Sequence, residues 1–299
     1  MTELAFVGLG AMGSRLAKRL LDAGYPVTGY NRTAAKAEAL VDAGMKVAAT
    51  PRAAAAAADV VFTMVTDNDA LRAIAFGADG VLAGLRRGAT LVEMSTVGPD
   101  VTRELGAAVA ARGATMLDAP VSGSTVSVEQ GVASIQVGGD AGALERVRPY
   151  LAVMGPNGIT HVGPLGMAKA MKVATNLGVA VQILAFCEAV ALAEKSGITR
   201  EAAVEALMRS VIASPLVKYR GPFVLGKMAA HVSFPVPMIQ KDLKLALDQA
   251  QAVGVPLPLT QLTQEWMTKA RDMGLGDHDF AVVFDVLASM SGLPPAPKA

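Results

Sequence analysis

The chain has little with which to build a crosslinked fold or a metal centre. Its 299 residues include one cysteine, Cys187, so no internal disulfide can form. The apolar helical pattern around Cys187 reads as that of a small buried side chain, and such cysteine usage fits a reduced, cytoplasmic setting. Histidine is almost as scarce. His161, His231 and His278 show no metal-ligand spacing, which predicts structural or surface roles and no metal site. An excess of charge is missing too. With 27 basic and 26 acidic residues, no global field exists to hold nucleic acid or an anionic membrane, and neither partner is expected. The N-terminus lacks a basic segment followed by a long apolar run: "LAFVG" breaks on glycine, so no signal peptide is expected. The nearest thing to a membrane span, 173–193, is interrupted by Asn176, Gln182 and Glu188, the pattern of a buried helix in a soluble protein.

What is abundant is small apolar surface. Hydrophobic residues make up 52% of the chain and the mean hydropathy is +0.41, the excess being mainly alanine and valine. That composition suits tight helix packing and a buried subunit interface. From residue 4 to about 162, short β-like runs ("LAFVG", "VTGY", "VVFTMV", "ATLVEM", "ATML", "ASIQVG") alternate with alanine-rich amphipathic stretches. Such alternation means crossover connections and a mostly parallel sheet. In "TPRAAAAAADV", Thr50 is placed to cap a helix that begins at Pro51. After "HVGPLG" the β signals stop and helical periodicity takes over, with turns at "SGIT", "ASP", "GVPLP" and "GLGDHD". The expectation is an α/β chain: a doubly wound domain over 1–162 and an all-helical domain over 163–299. The proline-rich tail "GLPPAPKA" reads as frayed.

The first strand runs into "GLGAMG", residues Gly8, Leu9, Gly10, Ala11, Met12 and Gly13, and then into a helix. A lone G-x-G-x-x-G is weak, but between strand and helix at the start of a βαβ unit it is a Rossmann-type dinucleotide site. Gly8 makes the tight turn, Gly10 lets the backbone approach a pyrophosphate at the helix N-terminus, and Gly13 lets helix and strand pack closely. The second strand ends at Asn31, Arg32 and Thr33. An NAD site usually places an acid here for the ribose 2′-hydroxyl. Asn31 is neutral, Arg32 can grip a 2′-phosphate, and Thr33 can cap the next helix, so NADP(H) is expected rather than NAD. The bland alternative makes Arg32 a solvated residue at a helix start.

The stretch "GMAKAMKVATN" carries two lysines on the way into an apolar helix. On a helix, Lys169, Lys172 and Asn176 share one narrow face, so direction does not choose between the lysines. Axial distance does, because Lys172 lies about 6 Å from Asn176 and Lys169 about 10 Å. Lys172 and Asn176 can bracket one small substrate. Hydride transfer from an alcohol carbon must be matched by removal of the hydroxyl proton, and Lys172, its pKa lowered by partial burial, could be the general base or acid. A lysine snorkelling at a domain junction fits this stretch equally well.

Taken together, "FVGLGAMG", "NRT", "STVGP", "DAPVSGS", "GPLGMAKAMKVATN" and "FPVPMIQKDLKLA" resemble the β-hydroxyacid dehydrogenase family, in order and over nearly the whole chain. The resemblance implies that Lys172 is the acid–base lysine and Asn176 its partner. It also implies that Ser122, Gly123 and Ser124 lie in the loop holding the substrate carboxylate. Thr96 would lie beside the nicotinamide ribose, Met64 and Val65 would line the cofactor, and Lys241 would reach toward it from the helical domain. Three positions depart from the family pattern around the substrate loop, Ser124, Ser127 and Val128, and Ala168 replaces a glycine ahead of the lysine. Lys169 is left as a bystander. The reaction implied is NADP(H)-dependent interconversion of a small 3-hydroxy or ω-hydroxy acid with its semialdehyde or keto acid, in a cleft between the domains of a homodimer or homotetramer. Two alternatives stand beside it: a reductase of imines on the same scaffold, and a dinucleotide-binding protein without catalysis.

Overall fold

The computed structural model describes residues 2–227 and 232–297, and His231 lies outside them. The chain forms two compact units, Met1–Lys172 and Val173–Ala299. The first opens with β1 (Leu4–Val7), α1 (Ala11–Asp22), β2 (Val27–Tyr30), α2 (Ala35–Glu38), β3 (Lys46–Val47), α3 (Pro51–Ala56) and β4 (Val60–Thr63). It continues through α4 (Asn68–Phe76), α5 (Val81–Gly84), β5 (Thr90–Glu93), α6 (Pro99–Ala111), β6 (Thr115–Asp118) and β7 (Val121–Ser122). Then come α7 (Thr125–Glu129), β8 (Ser134–Gly139), α8 (Ala141–Met154), β9 (Ile159–Gly163) and the long α9 (Met167–Lys195), which runs on into the second unit.

The nine strands form one sheet in the order β3-β2-β1-β4-β5-β6-β8-β7, with β9 paired to β8. The pairs from β3 to β6 are parallel, and antiparallel pairing enters only with β8 against β6 and β7. Chain order reverses beside β1, the switch point at which doubly wound sheets bind ligands beyond the carboxyl ends of their strands. β1, β4 and β5 are buried on both faces, and β1 and β4 accordingly read as nearly continuous apolar runs, while β5 buries Thr90 and Glu93 at its two ends. Leu4 and Phe6 pack with Phe62, Leu16 and Leu20 on one side, while Ala5 and Val7 meet Val61, Leu71 and Leu91 on the other. Thr50 caps α3 by accepting from the Ala53 N–H, with Pro51 at the first helical position as its sequence predicts.

The second unit holds the rest of α9, then α10 (Arg200–Arg209), α11 (Pro215–Val224), α12 (Val236–Val253), α13 (Pro258–Asp272), a 3₁₀ turn (Phe280–Val282) and α14 (Val283–Ser291). Its core gathers Ile183, Phe186, Cys187, Val190, Leu243, Phe280 and Phe284. Asp279 accepts from Arg220, from the Ser233 hydroxyl and from the N–H groups of Ser233, Phe234 and Ala281. One carboxylate thus fixes the turn leading into α12. Gly254 ends α12 at φ 75°, a left-handed position that glycine fills without strain.

Two expectations need correction. Three strands escape the sequence pattern, β3 and β7 because two residues give no periodicity and β9 because it is not fully buried anywhere. The tail, expected to fray, is held as far as it is described. Arg200 donates to the Pro294 and Pro295 carbonyls, the Ala296 N–H donates to Asp285, and Leu293 and Ala296 pack on the core.

Candidate active site

The glycine loop is shaped by its neighbours. Gly8 has φ 100°, and a Cβ there would collide with the Met64 carbonyl; one on Gly13 would strike the Gly8 carbonyl. Gly10 differs, since a Cβ built on it meets nothing within 4 Å. It precedes α1, whose first turn carries no side-chain cap and no acidic residue. The open space therefore lies at the positive end of a helix whose first N–H groups no side chain among the described residues caps, a cradle suited to a pyrophosphate. Leu9, Ala11 and Met12 complete the turn. Asn31, expected only to spare a 2′-phosphate from repulsion, also braces this loop. Its Oδ1 accepts from the Leu9 N–H at 3.0 Å and its Nδ2 donates to the Thr33 carbonyl at 3.0 Å. The expected cap by Thr33 does not form, because α2 begins after Ala34 without any side-chain cap. Arg32 is exposed, with no partner among the described residues, at the rim of a hollow of about 340 Å³ lined by Tyr30, Asn31, Ala37 and Val47.

At the carboxyl ends of β4, β5 and β6, Thr63, Glu93 and Asp118 stand in register, so their side chains share one face of the sheet. Asp118 is fully buried and starts α9. Its Oδ1 accepts from the Gly166 N–H at 2.8 Å and its Oδ2 from the Lys169 N–H at 2.9 Å. Helices need such acceptors for their first donors, and this one comes from β6, the strand that leads into the loop of Ser122 and Gly123. Lys169 is not the junction bystander expected. It is 0% exposed, with Nζ 2.6 Å from Glu93 Oε2 and donating to the Glu93 and Ser95 carbonyls at 2.9 and 2.7 Å. Lys172, at 8% exposure, closes the first unit, and Ala168 is wholly buried. Met64 hydrogen-bonds to β1 through its N–H, Val65 donates to Ser95 Oγ, and Thr96 is half-buried beside Ser95.

The departures at 124–128 also have a physical account. Ser124 Oγ accepts from the Ser127 N–H and Ser127 Oγ accepts from the Ser124 N–H, a reciprocal cap on α7. Both polar groups of Ser124 are thereby turned into the loop, leaving Ser122 and Gly123 (φ 146°) at its lip. Val128 fills the core and its carbonyl accepts from Arg19 on α1.

In the second unit, Asn176 donates through Nδ2 to Asp242 Oδ2, and Lys241 Nζ lies 2.9 Å from Asp242 Oδ1. Asp242 is 2% exposed, and sequence reasoning gave it no role. The signal was available: it falls on the buried face of α12 with Ile239, Leu243 and Ala246. His161 contacts the Gly139 carbonyl through its ring, and no cluster of metal-ligating side chains occurs among the described residues.

Comparison with known proteins decides the family. Residues 3–163 match the model of the NAD-binding domain of 6-phosphogluconate dehydrogenase, and 166–287 match the NAD-binding model of NADP-dependent 3-hydroxyisobutyrate dehydrogenase. This chain is a β-hydroxyacid dehydrogenase family member. It is accordingly an oxidoreductase with a nicotinamide cofactor. Among its relatives, 2-hydroxy-3-oxopropionate reductase of Escherichia coli is 33% identical, over 97% of this chain and 98% of that protein. NAD-dependent L-serine dehydrogenase of Pseudomonas aeruginosa is 35% identical, over 95% and 97%. The solved structure of Mycobacterium tuberculosis 3-hydroxyisobutyrate dehydrogenase with L-serine superposes at TM-score 0.85 with 32% identity, covering 96% of this chain and 99% of that one. An imine reductase from Pseudomonas sp. matches at 23% identity and TM-score 0.63, a likeness of fold alone.

Proposed function

We propose that this family member is an NADP(H)-dependent enzyme that interconverts a small 3-hydroxy or ω-hydroxy acid with its semialdehyde or keto acid, in the cytoplasm. The observation that carries the reading is Lys172, a nearly buried lysine one turn beyond an α9 start that Asp118 holds in place. When bound, the cofactor supplies or accepts the hydride. Lys172 gives a proton to the carbonyl oxygen in reduction and takes it from the hydroxyl in oxidation. Asn176, held by Asp242, orients the reacting oxygen. The Ser122 hydroxyl and the Gly123 N–H receive the carboxylate, and the cap formed by Ser124 and Ser127 keeps that loop in shape.

NADP(H) is supported by Arg32, whose guanidinium has no partner among the described residues and lies beside a hollow at the end of β2, with no acid in the position that reads a 2′-hydroxyl. Relatives named for glyoxylate and succinic semialdehyde, L-serine and 2-(hydroxymethyl)glutarate support a small substrate that carries a carboxylate. Steady-state assays of NADPH and NADH against a panel of semialdehydes, keto acids and cyclic imines test the reading. Turnover of imines alone overturns it, and turnover of nothing favours a dinucleotide-binding role. Lys172→Ala should retain NADPH binding while turnover falls by at least about 10²-fold.

A further inference from the structure

Lys169 has no place in the chemistry just described, yet it is the costlier of the two lysines to bury. It is 0% exposed, as are Glu93 and Ser95. An isolated ammonium in such a place would lose its proton or find partners, and an apolar pair of similar volume would fill the space at no loss of stability. Volume therefore does not explain the pair. What an apolar pair cannot do is hold polar main chain, and that is where Lys169 points. Its Nζ donates to the carbonyls of Glu93 and Ser95, two residues apart on either side of Met94, and so pins the turn at which β5 ends. Glu93 Oε1 then accepts from the Ser95 N–H at 2.8 Å, and Ser95 Oγ accepts from the Val65 N–H at 2.8 Å. The chain of contacts runs from the first turn of α9, across the end of β5, to the segment after β4.

We propose that Lys169 and Glu93 are a positioning pair for the nicotinamide end of the cofactor, fixing Thr96 and Val65 through Ser95. The inference rests on the cofactor-lining roles that the family resemblance gives Thr96 and Val65. The carboxyl ends of β1, β4 and β5 surround the switch point of the sheet, where a dinucleotide lies in this fold. Lys169 is also three residues from Lys172, so one helical turn carries both the proton-transferring group and the anchor of the cofactor loops. Loss of the anchor frees the two loops from that turn.

Glu93 left without its cation would be a buried unpaired charge, so the informative variant is Lys169→Met combined with Glu93→Gln. The carboxamide oxygen can still accept from Ser95, and no charge remains. With this protein folded by circular dichroism, we expect the NADPH dissociation constant, read by nicotinamide fluorescence, to rise about tenfold, as for one lost polar anchor. The kcat should fall about 10²-fold, the scale of a misplaced reacting pair. The primary isotope effect with 4-deuterated NADPH should grow, while the KM of the carboxylate substrate stays within about twofold. A merely structural pair would lower the melting temperature and leave dissociation constant and isotope effect alone, and that result overturns the proposal. If the double variant does not fold, Ser95→Ala keeps the ion pair and removes the link to Val65; unchanged NADPH binding there also overturns it. Fluorescence needs no substrate, so failure to find a turned-over hydroxy acid sinks the proposed substrate class and not this inference.

Discussion

Asp118→Asn is the sharpest single perturbation of this site, because it changes one atom and its geometry is fully determined. The wild-type carboxylate accepts from two main-chain donors, the N–H groups of Gly166 and Lys169, at 2.8 and 2.9 Å, and none of it is exposed. A carboxamide offers one acceptor and one donor. Whichever way it turns, one of the N–H groups of Gly166 and Lys169 keeps its partner and the other faces an NH₂ group. The loss is one charge-assisted hydrogen bond plus a buried donor opposed to a donor, about 2–4 kcal/mol. With a urea slope of about 2 kcal/mol/M for a unit of this size, the midpoint of its unfolding should fall by about 1–2 M. Activity should fall too, because Lys172 sits one turn beyond the disturbed start, and a displacement of about 1 Å is worth about 10²-fold in kcat. The measurement is a pair of urea curves with kcat on the same preparations. A midpoint within about 0.3 M of the parent with undiminished kcat would show that Asp118 does not hold the helix, and the placement of Lys172 argued from it would fall.

Gly10→Ala separates binding from folding. A methyl there meets no protein atom within 4 Å, so stability should stay within about 0.5 kcal/mol. NADPH affinity should nevertheless drop by at least about tenfold if this space takes the pyrophosphate, as the G-x-G-x-x-G spacing implies; unchanged affinity in a calorimetric titration refutes the cradle. Arg32→Ala should raise the KM for NADPH by about tenfold or more and leave that for NADH nearly unchanged. Equal losses with both cofactors would remove the case for a 2′-phosphate contact. Cys187 is held neutral by burial, reinforced by the Asp285 and Glu188 carboxylates, which raise its pKa well above the ordinary 9.0. A thiol reagent should therefore label it only after unfolding. The folded state keeps this proton while the unfolded thiol ionises, so the associated stability is present below about pH 9 and is lost above it, with a slope approaching about 1.4 kcal/mol per pH unit. The stability difference between wild type and Cys187→Ala, followed from pH 8 to 10.5, should shrink accordingly, and a flat difference contradicts the burial argument.

Much of the architecture was legible because it rests on local patterns. Buried strands announce themselves as apolar runs, Thr50 and Pro51 mark a helix start, and two glycines of "GLGAMG", Gly8 and Gly13, occupy positions where a Cβ would collide with main chain, while Gly10 borders open space. The polar wiring was not legible, because its partners are far apart in sequence. Lys169 finds Glu93 76 residues upstream, and Asp118 reaches Gly166 across 48. On a helical wheel the two lysines are equivalent, and only the opposing sheet makes one an anchor. Asn31 was read for its lack of charge, whereas its amide serves the glycine loop, a pairing set by the register of β2 beside β1. The serines at 124 and 127 looked like departures from a glycine pattern. Together they make a cap, which neither would suggest alone.

The cap on α9 has a consequence for how the chain acquires its activity. A short helical nucleus is unstable by itself, and the first turn of α9 does not carry its own cap; it borrows Asp118 from the end of β6, and Lys169 in turn holds the end of β5. Both acceptors exist in the right places only after those parallel strands have paired, a slow, long-range step in folding. A partly folded chain can therefore be rich in helix and still have nowhere to put the turn that carries Lys172. Recovery of catalysis on refolding should lag behind recovery of helical signal and coincide with completion of the sheet, so that the enzyme is switched on by its last strands rather than by its longest helix.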